Sequence, residues 1–263
     1  MEKLNFLNLI LIMLKFLTKI PLLKRLLPSI IRRLCVLLKI DFFTIKYQQI
    51  FLRLKITDAV DRHILFRGEY ENEQIEYLFD MIKKYQISVF IDIGSNIGLY
   101  SILMEENFPR LKIYAFEPHP DAFARLKVNL ELNKSQNIEC FNLALSNENR
   151  KSFLNIGNNH IKDFKNFQSG GAKVNDFGSI PINLSTGDSI FNNQNDIISI
   201  KIDVEGHENL VINGMHNLLN NNKVLIQIEI HLENFIKTHE ILSVLNYHQI
   251  KKIGQHDYYY KNF

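Results

Sequence analysis

Asp92, Gly94, Ser95, Asn96 and Gly98 fall in one short stretch, FIDIGSNIGLYS, and Glu117 follows Gly98 by 19 residues. The two glycines let the main chain pass close to a ligand where a Cβ would intrude. A helix beginning near Gly98 directs its first N–H groups and the positive end of its dipole at the same loop. Glu117 closes a second apolar strand. It stands at the offset of about 20 residues at which a strand-end carboxylate takes ribose hydroxyls in nucleotide-binding βαβ units. The glycine order is D-x-G-x-N-x-G, not the G-x-G-x-x-G of a dinucleotide site, and the leading Asp92 would repel phosphate. An acid aimed into the loop suits a ligand that carries ammonium and sulfonium charges with a ribose. These residues predict an S-adenosyl-L-methionine site and count against a nicotinamide oxidoreductase on the same sheet.

A second concentration of chemistry lies in DIISIKIDVEGHE, where Asp203, Glu205, His207 and Glu208 crowd the end of an apolar strand. Carboxylates packed together with a histidine are costly to bury unless a ligand or substrate uses them, and like charges raise one another's pKa. Asp203, Glu205 or His207 could take the proton of an acceptor hydroxyl. The plainer alternative is that Glu205 and Glu208 cap the next helix and His207 sits on its surface. A third strand, KVLIQIEI, carries Glu229 and ends at His231. Glu229 in so apolar a run needs a partner, either as a second carboxylate of the acceptor site or in a buried ion pair. Asp203 and Glu229 as oxygen ligands for Mg²⁺ form a weaker alternative, and no metal is expected.

These residues must be positioned by a regular frame. Val89 to Ile91, Lys112 to Phe116, Ile138 to Leu145, Ile197 to Val204 and Lys223 to Ile230 read as buried strands. Between them, helices are expected over Glu71–Lys84, from about Gly98, from Asp121 as N-cap to about Leu132, and over Glu233–Asn246. Parallel strands alternating with helices make an α/β, doubly wound sheet with ligands at the carboxyl ends of its strands. Residues 147–180 read as a long Asn/Gly/Ser-rich connection, a lid or an insertion, followed by a short strand over Pro181–Thr186. A hairpin over Tyr247–Phe263 turns at Gly254–Asp257 and ends the sheet.

Charge divides the chain unevenly. Residues 1–41 hold eight Lys/Arg against Glu2 and Asp41, a balance of +6, while the remainder is mildly acidic. No nucleic-acid partner is expected from that distribution. The longest uncharged run of this segment, Leu4 to Leu14, is shorter than the ~20 residues a spanning helix needs. Pro21 and Pro28 are expected to break it into short helices. Such a basic apolar segment, residues 1–40, fits the surface of an anionic membrane, or packs on the domain or a second copy. Cys35 and Cys140 lie in different segments and build neither a disulfide framework nor a metal motif. A cytoplasmic protein is expected, with peripheral contact at the inner membrane face as its variant. The organisation anticipated is a basic helical extension over 1–60 and one catalytic domain over 61–263.

FIDIGSNIGLYS, the strand ends YAFEPHP and ALS, and above all IKIDVEGHE with the later IEIH resemble the FkbM-type S-adenosylmethionine-dependent methyltransferases, from roughly Arg62 onward. The resemblance implies the class I methyltransferase fold, a Rossmann-like sheet of seven strands with the last one antiparallel. It implies methyl transfer to hydroxyls of glycans or related metabolites. The cofactor would be held by Asp92, Gly94, Ser95, Asn96, Gly98, Glu117 and Pro118, with the backbone around Ala144 near adenine. Acceptor chemistry would fall to Asp203, Glu205, His207, Glu229 and His231. One departure stands out: Asn142 and Ala144 occupy the place where an acid usually meets the adenine amino group. The basic N-terminus lies outside the family pattern. A catalytically silent, membrane-associated binding protein on the same fold is the rival reading.

Overall fold

The computed structural model describes residues 21–155, 172–175 and 178–263. The first 20 residues of the basic segment and the middle of the 147–180 connection lie outside the described residues. The described chain falls into two compact units, 21–72 and from 73 onward.

The first unit opens with helix α1, Pro21–Leu37, which runs through Pro28 without a break. The expectation that Pro28 would end it was wrong. Residues 42–55, taken as part of a helical extension, instead form an antiparallel hairpin, β1 (Phe42–Tyr47) with β2 (Ile50–Lys55). Period-two alternation explains it: Phe43, Ile45, Tyr47, Ile50, Leu52 and Leu54 all face inward. Helix α2 (Ala59–Arg67) follows, capped by the Asp58 carboxylate on the N–H groups of Val60 and Asp61 and closed by Gly68 at φ +73°.

In the second unit α3 (Asn72–Tyr85) buries Ile75, Leu78 and Ile82, the stripe its 3.6-residue period dictates. Next come β3 (Val89–Ile93), α4 (Leu99–Asn107), β4 (Lys112–Phe116), α5 (Pro120–Asn133) and β5 (Ile138–Phe141). Four strands of a second sheet follow: β6 (Ala144–Leu145), β7 (Arg150–Asn155), β8 (Lys173–Asn175) and β9 (Ile180–Ser185). The chain continues as α6 (Gly187–Ile190), β10 (Ile197–Ile202), α7 (Glu208–Asn213), α8 (His216–Asn221), β11 (Lys223–Glu229), α9 (Leu232–Val244), β12 (His248–Ile253) and β13 (Asp257–Lys261).

Seven strands form one sheet in the order β12-β13-β11-β10-β3-β4-β5. Only β13 runs antiparallel to its neighbours. The class I methyltransferase arrangement is thus present. Its chain moves outward from β3 through β4 to β5 and then returns to β10 on the other side of β3. That reversal is the switch point where a crevice opens at the strands' carboxyl ends. Strand β3 is buried along its whole length and β10 in all but its first residue, because helices cover both faces. Each such Ile or Phe contributes roughly 1.5–3 kcal/mol when fully buried.

Two expectations need correction here. Ile138–Leu145 is not one strand: it breaks at Asn142–Leu143, and Ala144–Leu145 pairs with β9 in the smaller sheet β6-β9-β7-β8. The 147–180 stretch is likewise not a plain connection. Its ends are strands whose small core holds Ala144, Leu154, Ile182 and Leu184.

Candidate functional site

The loop after β3 is shaped by its neighbours. Gly94 and Ser95 both donate backbone N–H groups to the Phe116 carbonyl, at 2.9 Å each, and Asn96 adopts φ +50°. A Cβ on Gly94 would stand 1.9 Å from the Asp203 carbonyl oxygen, and one on Gly98 2.3 Å from Leu126 Cδ1. The glycines were expected to make room for a ligand. The space they leave is filled by the chain itself, and both have φ +83°, where an L side chain is strained. Gly98 opens α4 with no side-chain cap of its own, while the buried Asp92 carboxyl takes the Ser101 amide of the helix's first turn.

Glu117 lies at the end of β4 with its carboxylate buried. One oxygen accepts the Asn96 N–H at 2.8 Å and the other the His119 N–H at 2.8 Å. Burial pushes this carboxyl up to about 7, against the pull of those two amides and Arg125. Each oxygen keeps a second lone pair for a hydroxyl donor. His119, not Asp121, is the N-cap of α5: its Nδ1 accepts the Asp121 and Ala122 amides. Asn142 Nδ2 donates to the carbonyls of Glu117 and Pro118, at 2.8 and 3.1 Å, and so pins the turn that follows β4. Ala144 is buried, with its backbone paired to Leu184.

Asp92 sits deeper than its position in the loop motif suggests. Its carboxyl is almost wholly enclosed; one oxygen accepts the Ser101 hydroxyl at 2.6 Å and the other has no hydrogen-bond partner. Burial raises its pKa, and the largest opposing influence is Lys201. Lys201 is Asp92's direct neighbour across β3 and β10. Its ammonium lies 2.9 Å from Asp203 Oδ2 and 4.8 Å from the centre of the Tyr100 ring. In the next strand Gln227, in register with Lys201, donates to the Tyr100 hydroxyl and to Asp257. Lys201, Tyr100, Ser101 and Gln227 were not among the candidates. Lys201 could have been found, since a lysine inside IISIKI demands a buried anion.

Beyond β10, Glu205 and Gly206 both have positive φ, +53° and +99°. Glu208 turns its carboxylate back onto the Gly206 N–H at 2.7 Å, a local cap. His207 is not a surface residue: burial lowers its pKa, and its Nε2 lies 3.0 Å from Ser146 Oγ. Glu229 ends β11 half-buried, opposite Asp257. His231 is the N-cap residue of α9, and its Nε2 stands 3.9 Å from Glu205 Oε2. The His256 ring, which was also missed, lies 4.9 Å from that of His231. Asp203, Glu205, His207, Glu229 and His231 therefore share the carboxyl end of β10 and β11. Among the described residues no group of three or more His, Cys, Asp or Glu is arranged to hold a metal ion.

Comparison with known proteins now bears on this arrangement. The model of the methyltransferase FkbM domain matches residues 92–256, more than half of the chain. The chain belongs to the FkbM methyltransferase family. Its matched region begins at Asp92 and ends at His256. The hexuronic acid methyltransferase AglP of Haloferax volcanii is 31% identical over 146 residues, 54% of this chain and 56% of that protein. Methyltransferase 1 of Beauveria bassiana is 30% identical over 74 residues, 28% of this chain and 30% of that one. The chain thus spans about half or less of the length of these relatives. Among solved structures, the FkbM methyltransferase of Methylobacillus flagellatus aligns with a TM-score of 0.48 at 14% identity, covering 76% of this chain and 52% of that one. The cofactor of the FkbM family is S-adenosylmethionine. The buried strand-end carboxylate of Glu117, with lone pairs to spare, fits its ribose.

Proposed function

We propose that this methyltransferase transfers a methyl group from S-adenosylmethionine to a sugar hydroxyl on a glycan or related metabolite. The observation that carries the reading is the set of polar side chains gathered at the switch point: Glu117 beside the 94–98 loop, and the His231–Glu205 pair beyond the next strands. When bound, the cofactor supplies a methyl group already activated by its sulfonium. The protein's remaining tasks are alignment and removal of one proton. Glu117 would take the ribose hydroxyls, and the 94–98 loop and α4 amides the methionine end. The half-exposed His231, with the Glu205 carboxylate 3.9 Å away, is the base we assign to the acceptor hydroxyl. His207 has its Nε2 committed to Ser146 and holds the small sheet to the β10 turn. The uronic-acid activity named for the Haloferax relative supports a carboxylated sugar as first acceptor to test. Calorimetric titration with S-adenosylhomocysteine, followed by methyl transfer to uronic acid glycosides, tests the proposal. Folded protein that binds no S-adenosylhomocysteine would overturn it and favour the silent binding protein.

A second observation concerns location. No helix among the described residues is long and apolar enough to cross a membrane. Helix α1 nevertheless exposes Ile30, Leu34 and Leu37, at i, i+4 and i+7, beside Arg33. We propose that this face rests on an anionic membrane surface. Protein should sediment with vesicles rich in phosphatidylglycerol and not with neutral ones, and L34E/L37E should stay in solution. Equal behaviour of the two proteins would refute it.

A further inference from the structure

Lys201 lies within the motif that most closely marks the family, yet the reading above gives it no part in the reaction. Its surroundings are unusual for a lysine. It is buried in the middle of the sheet, between β3 and β11, in a strand otherwise made of isoleucine and serine up to its last residue. Two carboxylates converge on it: Asp203, in contact at 2.9 Å, and Asp92, its direct neighbour across the strands. The Tyr100 ring at 4.8 Å completes the enclosure, and Tyr100 belongs to the helix that opens at the cofactor loop. A buried ammonium is costly without anions, and two buried acids are costly without a cation. The three form one unit, a cation set between two acids. Asp203 is held from a second side as well, because its carbonyl fills the space that Gly94 leaves.

We propose that Lys201 is a positioning residue for methyl transfer: it aims Asp203 at the crevice and offsets the buried Asp92 carboxyl beneath the cofactor loop. The inference rests on the methyltransferase reading. It adds that the loop's negative charge, which must meet the ammonium and sulfonium of the cofactor, is set from below by this lysine. The charged and titratable groups acting on Asp92 are Lys201 from β10, Asp203 just after it and Glu117 from the end of β4, with Ser101 of α4 beside it. Of these, Lys201 is the cation. Removing it would take away the main influence that opposes burial at Asp92 and leave Asp203 without its anchor.

The test is a double-mutant cycle on S-adenosylhomocysteine affinity, using K201M, D92N and the pair together in the full chain. If Lys201 acts through the charge of Asp92, K201M weakens binding at least tenfold alone and less than threefold in the D92N background. K201R, which keeps the charge, should recover most of the affinity. A lysine that only fills space would cost the same in both backgrounds, and that result overturns the proposal. If K201M does not fold, the same cycle is read on thermal unfolding. D92N must then restore a folded protein, and failure to do so is equally fatal. Wild-type protein that binds no S-adenosylhomocysteine would instead sink the methyltransferase reading, leaving the stability cycle to decide the role of Lys201.

Discussion

The two ends of strands β3 and β4 differ in kind. At their amino ends lies a shallow, open pocket of about 540 Å³ lined by Ile82, Ile87, Ser88, Phe108 and Leu111, with Lys83 and Arg110 at its side. At their carboxyl ends lie the shaped 94–98 loop, two buried acids and an enclosed lysine. The first end has volume and little buried charge; the second has buried charge that the fold could have avoided. A protein keeps charged groups in its interior only where something offsets their cost. On the function proposed above, the chemistry sits where electrostatic cost is high and not where space is open.

That contrast can be broken most forcefully at Gly94. G94A brings a Cβ onto the Asp203 carbonyl at a backbone angle reserved for glycine, and we expect a loss of at least ~4 kcal/mol of stability, read by chemical denaturation. Unchanged unfolding would show that the two loops are not locked together. H231A should reduce kcat about 100-fold while leaving S-adenosylhomocysteine affinity intact, as expected of a general base. A matching drop for H207A would move the base to the other histidine.

Glu117 sharpens the comparison through pH. In the ligand-free fold its carboxyl holds a proton up to about 7, where the unfolded chain would release it near 4.5. Its contribution to stability is therefore full below 4.5 and lost as pH rises through about 7. A ribose brings further donors to the group and favours the ionised form. S-adenosylhomocysteine affinity should then be greatest above pH 7 and fall by up to about tenfold per unit below it. E117Q should bind about tenfold more weakly at pH 8 and lose that pH dependence, as titration at pH 6, 7 and 8 would show. The smallest effect belongs to the other end of the strands. R110A, beside the cavity, should leave affinity within about twofold, since surface charges contribute little. A larger change would mean that the cavity end takes part in binding.

Much of the central sheet was legible because buried parallel strands are written as short apolar runs between glycines and helix caps. Val89–Ile93 and Ile197–Ile202 announce themselves in that way. The β1–β2 hairpin did not, although its alternation is clean, because Gln48–Gln49 lacks the turn residues that mark a hairpin; Gln48 adopts φ +49° nonetheless. Helix α2 was missed because its apolar residues have no strong period; its signals were the caps, Asp58 and Gly68. In the site, acids at strand ends could be read from spacing. Which of them would be buried and which paired could not, since the Asp92–Lys201–Asp203 unit exists only once β3 and β10 lie side by side.

The order of the strands also governs how the molecule is made. Strand β13 lies between β11 and β12, so the sheet cannot close on the ribosome until Lys261 has emerged. Strand β12 is synthesised earlier, waits unpaired on both edges, and keeps one edge bare even in the finished sheet. It is suited to waiting: Lys251 and Lys252 are exposed on it, and charged side chains on an unpaired edge discourage association with neighbouring nascent chains.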